Sequence, residues 1–104
     1  LLDALRDYLQ ANMRYVAATL NNAFPALCWQ PPEATYLAWI DLRPLNIDDR
    51  ALQQALIAGQ KVAIMPGYTY GPEGNGFLRL NVGCPREKLE RGVEGLIAAL
   101  RSLS

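Results

Sequence analysis

The residues from Val62 to Pro85 leave the chain few choices of fold. Val62-Ala63-Ile64-Met65 is a short apolar run of the kind that makes a buried strand. Pro66 to Gly76 follows, an eleven-residue stretch with glycines at 67, 71, 74 and 76 and prolines at 66 and 72, which reads as a loop. Loops of this length are often functional. Phe77 to Val82 then alternates: Leu78, Leu80 and Val82 share one face, and Phe77, Arg79 and Asn81 share the other. A helix is expected from Pro85, with Cys84 at the cap position and Glu87 at the third helical position. Two strands joined by a long loop and closed by a helix need a further layer to cover their apolar face, and the rest of the chain supplies it.

Leu2, Leu5, Leu9, Met13, Val16 and Leu20 recur at three- and four-residue steps, the buried stripe of a long amphipathic helix. It should end near Asn21-Asn22, ahead of Phe24-Pro25, and Pro25 to Glu33 reads as a connector. Tyr36 to Leu42 is the first strand, with Leu37 and Trp39 on one face and Tyr36, Ala38, Ile40 and Leu42 on the other. Both faces are apolar, so both are expected to be covered. Asp48 or Asn46 can cap a second helix that buries Ala51, Leu52, Ala55 and Leu56 and stops at Gly59. The last helix buries Leu89, Val93, Leu96, Ile97, Leu100 and Leu103. The order helix, strand, helix, strand, strand, helix predicts a two-layer α+β domain over residues 1–104, with a three-stranded sheet and helices mainly on one face. The other face, which carries Arg79 and Asn81, is expected to pack on another domain. The chain opens at Leu1-Leu2-Asp3 inside a helical pattern without a cap, which suggests a domain cut from a longer protein.

Ten basic and ten acidic residues balance in 104, so no broad field draws this chain to nucleic acid or an anionic membrane. No apolar run approaches the roughly 20 residues of a membrane-spanning helix. There is no histidine, which removes the Ser-His-Asp and Cys-His arrangements and the usual zinc sites. No metal site is expected. Cys28 and Cys84 stand apart without a CxxC spacing and read as reduced thiols of a cytoplasmic protein.

Few residues carry chemistry. The glycines of the 66–76 loop fit neither GxxxxGK[ST] nor GxGxxG, and a strand rather than a helix follows them. Asp48-Asp49, Glu87, Glu90 and Glu94 belong to helix starts and helix surfaces and form no catalytic pair. Lys61 and Lys88 lie where a solvated charge is expected. Arg79 is the exception. It stands mid-strand between Leu78 and Leu80, and the planar fork of arginine pairs bidentately with a carboxylate. A structural arginine is the competing reading. Tyr68 and Tyr70, in the loop before it, are candidates to add hydroxyls or ring faces, with loop packing as the equal alternative.

Three segments together resemble a known family: Thr35-Tyr36-Leu37-Ala38-Trp39-Ile40-Asp41-Leu42-Arg43, Val62-Ala63-Ile64-Met65-Pro66-Gly67 and Gly76-Phe77-Leu78-Arg79-Leu80-Asn81-Val82-Gly83-Cys84-Pro85. They look like the C-terminal part of fold type I pyridoxal-phosphate enzymes, in the MalY/PatB group of cystathionine β-lyases related to class I/II aminotransferases. The resemblance implies the small domain of such an enzyme, with residues 1–22 as an interdomain helix. It implies that Arg79 grips the substrate α-carboxylate, that the domain closes over the active site when an amino acid binds, and that the loop 66–76 lies near it. The implied partners are the protein's own N-terminal large domain and a second copy in a homodimer. The implied reaction is carbon–sulfur β-elimination, with transamination as the alternative. A non-catalytic binding module using the Arg79 face is the reading from another class. The Schiff-base lysine of the family follows a serine in the large domain, and neither Lys61 nor Lys88 has that context. No catalytic or cofactor-binding residue is therefore expected in this chain, and alone it is expected neither to hold pyridoxal 5'-phosphate nor to turn over substrate.

Overall fold

The first helix runs as its stripe requires and stops where proline forbids it to continue. In a computed structural model that describes residues 2–33, 35–59, 64–66 and 75–103, α1 spans Leu2–Ala23. Phe24, ahead of Pro25, leaves the helical region at φ −134°, ψ 83°, as a residue preceding proline must. A single 3₁₀ turn over Pro25–Leu27 reverses the chain. Asn21 then secures the return: its side chain accepts from the Trp29 N–H at 2.8 Å and donates to the Trp29 carbonyl at 2.9 Å.

Strand β1 covers Leu37–Asp41 and is followed by a 3₁₀ turn, Arg43–Leu45, that ends on Asn46 in the left-handed region. Of the two candidate caps the structure uses Asp48, whose Oδ2 accepts from the Ala51 N–H at 2.9 Å at the start of α2, Asp49–Gly59. Strand β2 spans Ile64–Pro66, β3 spans Phe77–Asn81, and α3 spans Arg86–Ser102. β3 lies in the middle. It pairs antiparallel with β1, Trp39 opposite Arg79, and antiparallel with β2, Met65 opposite Arg79.

The alternation along the strands sorts the two faces. Ala38, Ile40, Leu78, Leu80 and Val82 are buried in one core with Met13, Val16 and Leu20 of α1, Leu52 and Leu56 of α2, and Leu89, Val93, Leu96 and Leu100 of α3. Burying each of the Val, Leu, Ile and Met side chains contributes about 1.5–3 kcal/mol. Leu37, Asp41, Phe77, Arg79 and Asn81 on the other face are only partly covered, and Trp39 is exposed.

Inside the core sits one fully buried polar side chain among the described residues, Asn12. Its Nδ2 donates to the Val82 carbonyl at 2.9 Å and, more weakly, to the Cys84 carbonyl at 3.5 Å. Its Oδ1 accepts from Arg86 Nε at 2.9 Å. Tyr8 donates its hydroxyl proton to the same Cys84 carbonyl. Two residues of α1 thus bind the chain where it leaves β3 and enters α3.

Four expectations need correction. Leu2 and Leu5 do not face the core: they are 77% and 54% exposed, and the buried part of the stripe begins at Leu9. Within this chain only one face of the first strand is covered, with Trp39 and, just ahead of the strand, Tyr36 exposed. Cys84 is not the cap of α3. Pro85 takes that place with extended geometry, φ −57° and ψ 142°, and its carbonyl accepts from Leu89 N–H at 3.0 Å. The second strand includes Pro66, and residues 62 and 63 lie outside the described residues.

Two substitutions test this account. Replacing Asn12 with Ala leaves the buried Val82 carbonyl without its donor, and the free energy of unfolding should fall by about 1–3 kcal/mol in urea titrations. An unchanged midpoint would mean that water replaces the amide. Gly76 has φ +84°, and a Cβ there would stand 2.6 Å from Arg43 Cγ. Gly76→Ala should therefore cost about 1–3 kcal/mol, and adding Arg43→Ala should recover only the steric share.

Candidate functional site on the open face of the sheet

Arg79 stands at the centre of β3, half-buried, on the face opposite the helix-packed core, which no helix covers among the described residues. Phe77 and Asn81 flank it along its own strand, and Trp39 faces it across the ladder between Leu37 and Asp41. Among the described residues, its neighbours along β3 and β1 on this face are thus aromatic, apolar and amide groups together with the Asp41 carboxylate.

That carboxylate is closed by its own loop. Asp41 Oδ1 accepts from Arg43 Nε at 2.9 Å and from the Arg43 backbone N–H at 3.0 Å, and Oδ2 accepts from Nη2 at 2.9 Å. The Arg43 guanidinium also lies over the Phe77 ring, 4.9 Å from its centroid. Hydrogen bonding to Arg43 holds the Asp41 carboxyl below its ordinary value, against a smaller opposing effect of burial. The stabilisation from this depressed value is present above the ordinary carboxylate range and is lost as pH falls through the depressed value.

β3 is held at both ends of this face. At its start, the Gly76 carbonyl accepts from Leu42 N–H at 2.8 Å and the Gly76 N–H donates to Asp49 Oδ2 at 2.9 Å. At its end, Val82 N–H donates to the Tyr36 carbonyl at 2.8 Å, and the Asn81 side chain accepts from Gly83 N–H at 2.8 Å. A strand pinned at both ends carries Arg79 on a rigid element, which is what precise recognition of a small anion requires.

Of the residues singled out in the sequence, Arg79 lies on the open face as its alternation demands. Tyr68, Tyr70 and Lys61 lie outside the described residues. Lys88 is exposed in the first turn of α3. Among the described residues no three His, Cys, Asp or Glu side chains gather in a way that could hold a metal ion, and no helix is long and apolar enough to cross a membrane. A groove of about 400 Å³ lies between α1 and α3, lined by Thr19, Asn22, Ala23, Glu94, Ile97, Ala98 and Arg101. None of its lining residues comes from the sheet, so it is separate from the Arg79 face.

Sequence reasoning missed Trp39 as the residue opposite Arg79 in the ladder and Asn12 as the clip at the end of the strand. Both left a signal. Trp39 is the middle residue of an alternating strand, and pairing two five-residue strands centre to centre joins it to Arg79. Asn12 is a polar residue three positions after Leu9 and four before Val16, inside an apolar stripe.

The comparisons with known proteins agree with one another. The family profile of aminotransferase class I and II matches residues 2–96. Protein MalY of Escherichia coli is 69% identical over 98% of this chain, and cystathionine beta-lyase PatB of Bacillus subtilis is 39% identical over 95%. The chain spans about a quarter of each relative, 26% in both cases. Among solved structures, cystalysin of Treponema denticola, which contains pyridoxal 5'-phosphate, superposes with a TM-score of 0.83 at 30% identity over 98% of this chain and 26% of that one. The PLP-bound C-S lyase of Staphylococcus hominis superposes at 0.78 with 33% identity over 94% of this chain and 26% of that one.

Cys84 is half-buried at the exit of β3, its Sγ 3.7 Å from the Asn81 carbonyl, and burial raises its pKa against a smaller lowering by Lys88. The thiol therefore stays protonated at neutral pH. Alkylation of Cys84 by iodoacetamide should be slow near pH 7 and quicken only above the ordinary thiol range; fast labelling at pH 7 would contradict this picture.

Proposed function

From the premise that this chain belongs to the aminotransferase class I and II family, in the MalY/PatB group, we propose that it is the small domain of a pyridoxal-phosphate-dependent carbon–sulfur β-lyase that acts on cystathionine-like amino acids. In this reading residues 1–104 form a two-layer unit with a three-stranded sheet, and residues 1–22 form the helix that joins it to the large domain. The exposure of Leu2, Leu5 and Trp39 supports a covering large domain. The whole protein would be a homodimer in the cytoplasm.

The observation that carries the reading is the place of Arg79: mid-strand, half-buried, on the face without helices, in a strand anchored at both ends. Its guanidinium presents two parallel N–H donors to the substrate α-carboxylate. Fixing the carboxylate orients the bonds at Cα and removes rotational freedom before any bond changes. The aromatic and apolar neighbours exclude water, which strengthens the charge pair. When substrate binds, closure of the domain would bring this face over the reacting carbon, with Tyr68 and Tyr70 as further contacts from the 66–76 loop.

The cofactor finds no cradle among the described residues. The one described lysine, Lys88, is exposed in the first turn of α3. Lys61 lacks a preceding serine. Residues outside this chain would hold pyridoxal phosphate, which would supply the electron sink for the reaction when bound. The share of this chain is to bind, orient and shield, and alone it would be inactive.

The test is pyruvate release from cystathionine by the full-length protein. Wild type should release pyruvate and thiol together, and Arg79→Ala should lower kcat/KM by roughly 30-fold to several thousand-fold, the equivalent of about 2–5 kcal/mol for a lost charge pair, with the cofactor's absorbance retained. Keto-acid formation without thiol would move the assignment to transamination. Equal rates for the two proteins would make Arg79 a structural residue.

A further inference from the structure

Arg79 stands opposite an aromatic residue that lies outside the buried core. Residues directly opposite in an antiparallel ladder bring their Cβ atoms to about 4.5–5.5 Å, and Trp39 is opposite Arg79. A guanidinium and an aromatic face attract within about 6 Å of the ring centroid. The two tryptophans of the chain differ sharply: Trp29 is buried at 8% exposure, while Trp39 is 43% exposed. Trp39 therefore stands outside the buried core while more than half of its surface is still covered.

The backbone under Trp39 is, in contrast, tightly held. Trp29 donates its indole Nε1–H to the Trp39 carbonyl at 3.0 Å. Trp29 is itself gripped at both its N–H and its carbonyl by the Asn21 side chain of α1. A buried tryptophan and a helix asparagine therefore secure the outer edge of β1 at the residue facing Arg79.

We propose that Trp39 is a positioning residue for Arg79, with the Asn21–Trp29 pair as its backing. The inference rests on the reading of Arg79 as the carboxylate ligand. A guanidinium stacks through its face and donates through its edge, so an indole face beside it uses none of the donors that a carboxylate needs. Trp39 limits the rotamers of Arg79 and keeps the fork ready, and its ring keeps water from one side of the pair.

The experiment uses the full-length holoenzyme as wild type, Trp39→Phe, Trp39→Leu, Arg79→Ala and the Trp39→Leu/Arg79→Ala double variant. Two quantities are read: kcat/KM for pyruvate release, and the Kd of butyrate, an unreactive carboxylate, by ligand-observed NMR. Trp39→Leu should weaken butyrate about 2- to 30-fold, the range expected of a cation–π contact. Trp39→Phe should restore most of the loss. In the Arg79→Ala background, Trp39→Leu should change kcat/KM no further. Equal effects of Trp39→Leu with and without Arg79 would overturn the proposal, as would unchanged butyrate binding together with a lowered melting temperature. If Arg79→Ala itself leaves butyrate binding intact, the carboxylate reading fails and the role of Trp39 falls with it. If Arg79→Ala abolishes binding while Trp39→Leu does nothing, only the role of Trp39 falls.

Discussion

The side-chain amide of Asn12 is the interaction on which the arrangement of α1, β3 and α3 depends. It reaches through the core from α1 to the carbonyl of Val82, and the Arg86 guanidinium closes it from α3. Backbone carbonyls beyond the end of a strand have no ladder partner, and a buried one must find a donor elsewhere. Asn12 supplies that donor from a helix, where its own backbone is already satisfied. An apolar side chain at this position would fit the stripe but would leave Val82 unpaired, and that cost makes the contact directional where hydrophobic packing is not.

The same principle of anchored ends runs through the open face. β3 is fixed at its start by Gly76, whose two backbone groups go to Leu42 and to the Asp49 carboxylate. It is fixed at its end by Asn12, Tyr36 and the turn that Asn81 makes with Gly83. Between these anchors the strand has no freedom to slip, because a shift of one residue would turn Leu78 and Leu80 out of the core and Arg79 into it. The burial of two leucines thus sets the side on which the arginine stands. On that side Asp41 is already engaged by Arg43, so this carboxylate is occupied by its own loop.

The helix-free face gives physical sense to the chain's likeness to a quarter of much longer proteins. It carries an exposed tryptophan and a half-buried arginine at the centre of the sheet. α1 runs two turns past the core with leucines at 77% and 54% exposure. Both features leave apolar surface open on this chain, and both lie apart from the groove between α1 and α3.

Much of this was legible in the sequence. The stripe from Leu9 to Leu20, the alternation from Phe77 to Asn81 and the proline after Phe24 determined α1, β3 and the end of α1 by local rules, since period and proline geometry need no distant partner. The side of Arg79 followed from the same alternation. What only the tertiary structure decided are the meetings of residues far apart in the chain: Asn12 with Val82, Trp29 with Trp39, and Trp39 with Arg79. Leu2 and Leu5 share the period of Leu9, yet only the tertiary structure determines where burial ends. Cys84 stands before a proline like a cap, yet Asn12 and Tyr8 hold its carbonyl outside the helix. Periodicity records which face a residue takes; which neighbour it meets there depends on register and on chain ends, and those are set by contacts that no local pattern encodes.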